Sequence, residues 1–143
     1  MRKTILTTVL LGACLTGPEG RDDAFAYADR VEPLIYENGL LARALMSAAA
    51  ESHNGDIEAE PLARWWHRDF TPLSEHLAHQ AAAVSAPPAW SSSHRDLVEI
   101  WERRAEAYRA LDVALSTGDA AGWAEARAKA DEVKIEEEEW FYC

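Results

Sequence analysis

The residues best placed for chemistry by type and spacing are in Glu75-His76-Leu77-Ala78-His79. Two histidines three positions apart on a helix share one side of it. Neutral imidazoles joined by a carboxylate are ligands for zinc, copper or nickel. His76, His79 and Glu75 are therefore the candidate metal set, with Glu37 a further donor from a neighbouring helix. His76 is expected to lean toward the core and His79 toward its edge. The chain has no duplicated Glu-x-x-His, which argues against a di-metal centre of the ferritin type. It has no Cys-x-x-Cys-His for covalent haem. His67 is expected on the far side of its helix, and His53 and His94 at helix ends, exposed.

A second set consists of polar residues that interrupt apolar stripes. Asn38 falls at the centre of the first helix's apolar face, with Arg30 and Glu37 at its edge. Asp69, His76 and Gln80 flank the stripe of the second helix. Arg104 takes a core position on the third, with Asp112 at the border, and Arg127 and Lys134 lie beside Trp123 on the fourth. Asn38, Asp69 and Arg104 are the candidates for the polar core. Two readings are open: a hydrogen-bonded network that fixes helix register, or a polar pocket between helices. No Gly-x-Ser-x-Gly elbow, phosphate loop or zinc-protease motif occurs, so the chain reads as non-enzymatic.

The aromatics come next. Six tryptophans is a high number for 143 residues. Trp66, Trp101 and Trp123 sit on stripes and read as core, or as the lining of a site for an apolar ligand. Trp65 is at a stripe edge, and Trp90 is expected to fold back over one end of the core. Tyr36 and Leu40 are four apart on the outward side of the first helix, an exposed pair suited to an oligomer or partner surface. The ending places Trp140, Phe141 and Tyr142 after four glutamates. These three either dock on the domain or form a short anchor for a partner protein.

The elements that carry these residues are helical throughout. Tyr27, Val31, Leu34, Asn38, Leu41, Leu45 and Ala48 recur at three-four spacing from Asp22 or Asp23 to Ser52. Pro33 inside this run predicts a kink or restart, and His53-Asn54-Gly55-Asp56 a turn. The second helix starts near Ile57–Pro61 with the stripe Leu62, Trp66, Phe70, Leu73, Leu77, Gln80 and Val84, and Thr71-Pro72 predicts a restart. Ser85-Ala86-Pro87-Pro88 breaks it. Ser93 with Asp96 predicts a capping box for the third helix, whose stripe is Leu97, Trp101, Arg104, Tyr108, Leu111 and Leu115. Gly118 ends it, and Asp119 caps a fourth helix with the stripe Trp123, Ala126, Ala130, Val133 and Trp140 or Phe141. Four helices on short connections predict an all-α, antiparallel up-down-up-down four-helix bundle over residues 24–143.

The formal net charge is −11, which argues against nucleic acid as a partner. The N-terminus adds a location. Arg2 and Lys3 precede an apolar run, Ile5 to Leu11, that is too short to span a bilayer. The run closes on Leu11-Gly12-Ala13-Cys14, which resembles the lipobox of bacterial lipoprotein signal peptides. The resemblance implies that residues 1–13 are removed and that Cys14 is the lipidation site, its thiol carrying a diacylglycerol. Loss of Arg2 and Lys3 would take the charge two units further, to −13. Residues 14–23 then form the lipidated cysteine and a flexible tether. Leu15 after the cysteine implies the outer membrane, with the domain facing the periplasm. The partners expected are the lipid bilayer, through acylated Cys14, and an envelope protein. No cofactor is expected unless the histidine pair holds a divalent metal. Cys143 is left without an internal partner.

Overall fold

The structure is a computed structural model and describes residues 18–54 and 59–142. The described residues are helical, without strands, and four helices pack against one another. In chain order the elements are α1 (Pro18–Asn54), α2 (Ala59–Trp65), a π-helical turn (Trp66–Phe70), α3 (Thr71–Ala83), a 3₁₀ turn (Pro88–Trp90), α4 (Ser91–Thr117) and α5 (Ala120–Tyr142). α2, the π-turn and α3 follow one another without a gap and act as the second of the four helices.

α1 buries Ala24, Tyr27, Val31, Asn38, Leu41 and Ala48, the three-four stripe of its sequence. One expectation for this helix is corrected and a second is narrowed. Its described part starts at Pro18, so the stretch read as tether up to Asp23 is helical from Pro18 onward. The helix also runs through Pro33 without a restart. Pro33 and Asp29, whose carbonyl would have accepted the missing N–H, are both exposed residues.

Pro72 acts differently, and its effect governs the second helix. Its ring would crowd the Arg68 carbonyl four residues back, and it has no N–H to donate there. The chain answers with the π-turn, in which the Thr71 N–H reaches back five residues to the Trp66 carbonyl. Thr71 therefore does not cap a restart. One extra residue in the turn moves the inward face forward by one position. The stripe expected at Leu73, Leu77 and Gln80 becomes Ser74, Ala78 and Ala81, with Leu77 still inside. Leu73 is exposed at 36% while Ser74 is at 0%.

α4 begins on the end of the 3₁₀ turn, at Ser91, so Ser93 is within the helix and the expected capping box does not form. Its end is as predicted. Gly118 takes the left-handed conformation (φ 69°) that closes a helix. The Asp119 Oδ1 accepts the Gly122 N–H at 2.9 Å and caps α5.

The main core joins Leu41, Trp66, Phe70, Leu77, Leu97, Trp101, Tyr108, Leu111, Ala126 and Val133. Its aromatic centre stacks Trp66 on Phe70 with centroids 4.6 Å apart, and Tyr108 meets Phe70 at 4.9 Å. The buried Trp66 indole N–H is satisfied by the Tyr108 carbonyl at 3.1 Å. Trp123 does not join this core as expected. It is 36% exposed and lies under the Arg127 guanidinium at 5.2 Å, a cation–π contact at the surface.

Candidate functional site

The strongest concentration of polar groups lies in the interior. Arg104, on the buried face of α4, has a side chain only 4% exposed. Its Nη1 donates to Glu137 Oε1 on α5 at 2.7 Å and to Asn38 Oδ1 on α1. The same Glu137 oxygen accepts from Asn38 Nδ2 at 2.9 Å and from Trp101 Nε1 at 2.8 Å. The guanidinium also sits over the Trp101 ring, 5.4 Å from its centroid. One carboxylate oxygen therefore collects donors from α1 and α4, and α5 supplies it. A guanidinium does not exchange protons near neutral pH. A carboxylate oxygen committed to three donors is held as an acceptor, so the cluster is built to bind helices together rather than to transfer protons.

Asn38 and Arg104 are where their stripes place them. Asp69 is not: it is exposed and accepts from Arg68 Nε at 2.9 Å and Nη2 at 2.7 Å. It sits in the π-turn, where the regular wheel no longer holds. Glu137 is the member that sequence reasoning missed. It was visible as a gap: the α5 series 126, 130, 133 calls for 137 before 140, and a glutamate fills that position. The neighbouring Glu136 is paired outward with Arg103.

A second buried group lies toward the start of α1. His94 is buried at 7%, against the expectation of exposure at a helix end. The 3₁₀ turn extends the structure ahead of α4 and places His94 on its covered side. Its Nε2 faces the Ala81 carbonyl at 3.1 Å and its Nδ1 the Tyr27 hydroxyl at 2.9 Å. A carbonyl only accepts, so Nε2 carries the hydrogen, and in the neutral ring Nδ1 accepts from Tyr27. Burial pushes the Tyr27 hydroxyl up to about 12. Trp90 is tilted over Tyr27 at 6.3 Å and packs on Ala24, in a small cluster apart from the main core it was expected to cover.

The metal candidates do not converge. His76 is exposed rather than leaning inward, because the π-turn hands the inward position to Leu77. His79 is exposed as well, and Glu75 accepts from Arg109 Nε at 2.8 Å. Glu37 is exposed on α1. Among the described residues no three His, Cys, Asp or Glu side chains gather as they would around a metal ion. His67 joins neither His76 nor His79; its Nδ1 meets Asp112 Oδ2 at 2.9 Å.

The tail residues fold back. Trp140 Nε1 donates to the Ser93 carbonyl at 3.0 Å, and Phe141 stands edge-on to Trp140 at 5.0 Å. Both are half-buried against the main core. The Tyr142 side chain, Cys14 and Cys143 lie outside the described residues. The three tryptophans proposed to line an apolar-ligand site are separated in role: Trp66 and Trp101 are packed inside and Trp123 is at the surface. Trp123 borders only a shallow recess of about 280 Å³ with Ala114, Leu115 and Gly118.

The outward side of α1 carries what the interior does not use. Tyr36 is 60% exposed, Leu40 44% and Phe25 42%. Among the described residues no helix is long and apolar enough to cross a membrane. A comparison with protein families, with characterised proteins and with solved structures found no match to the chain.

Proposed function

We propose that the protein is a lipid-anchored component of the bacterial cell envelope that works by association, not by catalysis. Acylated Cys14 holds it to the outer membrane on the periplasmic side, and the four helices form an up-down-up-down bundle. The short connection at Gly118-Asp119 supports the antiparallel placement of the last two helices. The observation that carries the reading is the contrast between the two sides of α1. Its polar interruption, Asn38, is committed to Arg104 and Glu137, while Phe25, Tyr36 and Leu40 stand unused on the opposite side. Polar groups committed inward lock the scaffold, and exposed aromatic and aliphatic groups are the kind that anchor a partner.

Intact mass of the protein extracted from its own host's envelope tests the anchor. The expected species lacks residues 1–13, carries a diacylglycerol on Cys14, and is lost with Cys14→Ser. Recovery of the unmodified full-length chain would overturn it. A photoreactive amino acid at position 36 tests association in the same cells, with an adduct expected.

A further inference from the structure

We infer that the outward side of α1 is a self-association surface on which two copies of this chain lie antiparallel. The inference rests on reading this side as an association surface and names its occupant.

Phe25, Asp29, Glu32, Tyr36, Leu40 and Arg43 follow one another at three-four spacing and are all exposed. They form one stripe, turned away from the buried stripe of Tyr27, Val31, Asn38 and Leu41. Its middle is apolar, Tyr36 and Leu40. Its flanks are charged with opposite sign, acidic before the middle and basic after it. Among the described residues neither Glu32 nor Arg43 has an ion-pair partner within the chain. The hydrogen bond recorded for the Arg43 side chain is a long one, from Nε to the Gly39 carbonyl of its own helix at 3.3 Å. That guanidinium keeps donors free for a carboxylate.

Charge decides the orientation. A parallel pair in register sets Asp29 against Asp29, Glu32 against Glu32 and Arg43 against Arg43, three like-charge contacts around an apolar middle of only Tyr36 and Leu40. An antiparallel pair centred at residue 38 sets Tyr36 of each copy on Leu40 of the other. The same register brings Arg43 of each copy within one residue, a rise of about 1.5 Å, of Glu32 of the other. Two apolar contacts are then bracketed by two ion pairs between Glu32 and Arg43, while Asp29 faces Ser47 rather than a second acid. With Cys14 only four residues ahead of Pro18, the two anchors leave at opposite ends, so the pair lies along a bilayer rather than standing on it.

The test places a photoreactive amino acid at position 36 in the full chain, in the host envelope. Two differently tagged copies are co-expressed, and the adducts are mapped by peptide mass. The expected product joins the two tags, with the crosslink at residues 36–44 of the second copy. Arg43→Glu should lower its yield about tenfold, by turning two attractions into two repulsions, and Glu32→Arg with Arg43→Glu should restore it. All three positions are exposed, and circular dichroism checks that the helices are intact. An adduct with a different protein and none between tags overturns self-association but leaves the association reading standing. No adduct at all overturns both. A tag-to-tag adduct mapping elsewhere, or indifferent to charge reversal, overturns the antiparallel register.

Discussion

Asn38 and Glu137 are 99 residues apart in the chain and 2.9 Å apart in space. Their contact connects the first helix to the last, and Arg104 of the third bonds to both. The polar centre of the protein is therefore a three-helix junction.

That junction predicts an asymmetric response to substitution. Glu137→Ala leaves the Arg104 guanidinium buried without its counter-charge and should cost about 3–5 kcal/mol. Replacing the pair together, Arg104→Met with Glu137→Leu, should cost much less or nothing, since packing takes the place of two desolvated charges. Urea unfolding monitored by circular dichroism measures both. A double variant as damaged as the single one would show that the charges, not their mutual burial, hold the helices.

Ser74 and Thr71 supply a prediction of the opposite sign. The Oγ of Ser74 and the Oγ1 of Thr71 are buried without a hydrogen-bond partner among the described residues. Removing an unsatisfied buried hydroxyl returns its desolvation cost, roughly 1 kcal/mol or more. Ser74→Ala should therefore raise the urea midpoint, as should Thr71→Val. A lowered midpoint would mean that the hydroxyl has a partner in solution.

Alkaline pH should loosen the fold through its buried phenols. Burial raises both Tyr27 and Tyr108 to about 12 from the ordinary 10.0. A pKa raised on folding gives stability that is fully present below 10 and lost as the pH climbs through 12. The thermal midpoint should thus fall between pH 10 and 12. Phenolate absorbance near 295 nm should rise late for these two of the four tyrosines. Tyr27→Phe should remove its share of the alkaline fall. It should also cost about 1 kcal/mol at neutral pH, where His94 Nδ1 loses its donor.

The α4–α5 turn should be sensitive at two adjacent positions for different reasons. Gly118→Ala forces a side chain into a left-handed conformation and should cost about 1 kcal/mol. Asp119→Ala removes the acceptor for the Gly122 N–H and should cost roughly 0.5–2 kcal/mol. Asp119→Asn, which keeps a capping oxygen, should recover most of that. Equal loss for Ala and Asn would place the effect elsewhere than the cap.

Much of this architecture can be read in the residues themselves. The three-four recurrence of apolar side chains marks the helices, and the same recurrence places Asn38 and Arg104 inward, because a helix of 3.6 residues per turn leaves them no other side. Gly118 and Asp119 end one helix and start the next by local backbone chemistry alone. What periodicity does not carry is a change of phase. Pro72 forces the π-turn, the inward positions advance by one, and His76 and Gln80 move out while Ser74 and Ala81 move in. The metal reading depended on the unshifted wheel. Nor does periodicity say which groups meet. Glu137 was one of four consecutive glutamates, and His94 sat where helix ends are usually exposed. Their roles follow from distant partners, Asn38 and Tyr27, brought close only when the helices pack. Burial makes an unpaired charge or hydrogen-bonding group costly, so the packed structure selects the acid and the imidazole that find donors. The types of element were set locally by spacing and capping; the assignment of their polar side chains was set by tertiary contact.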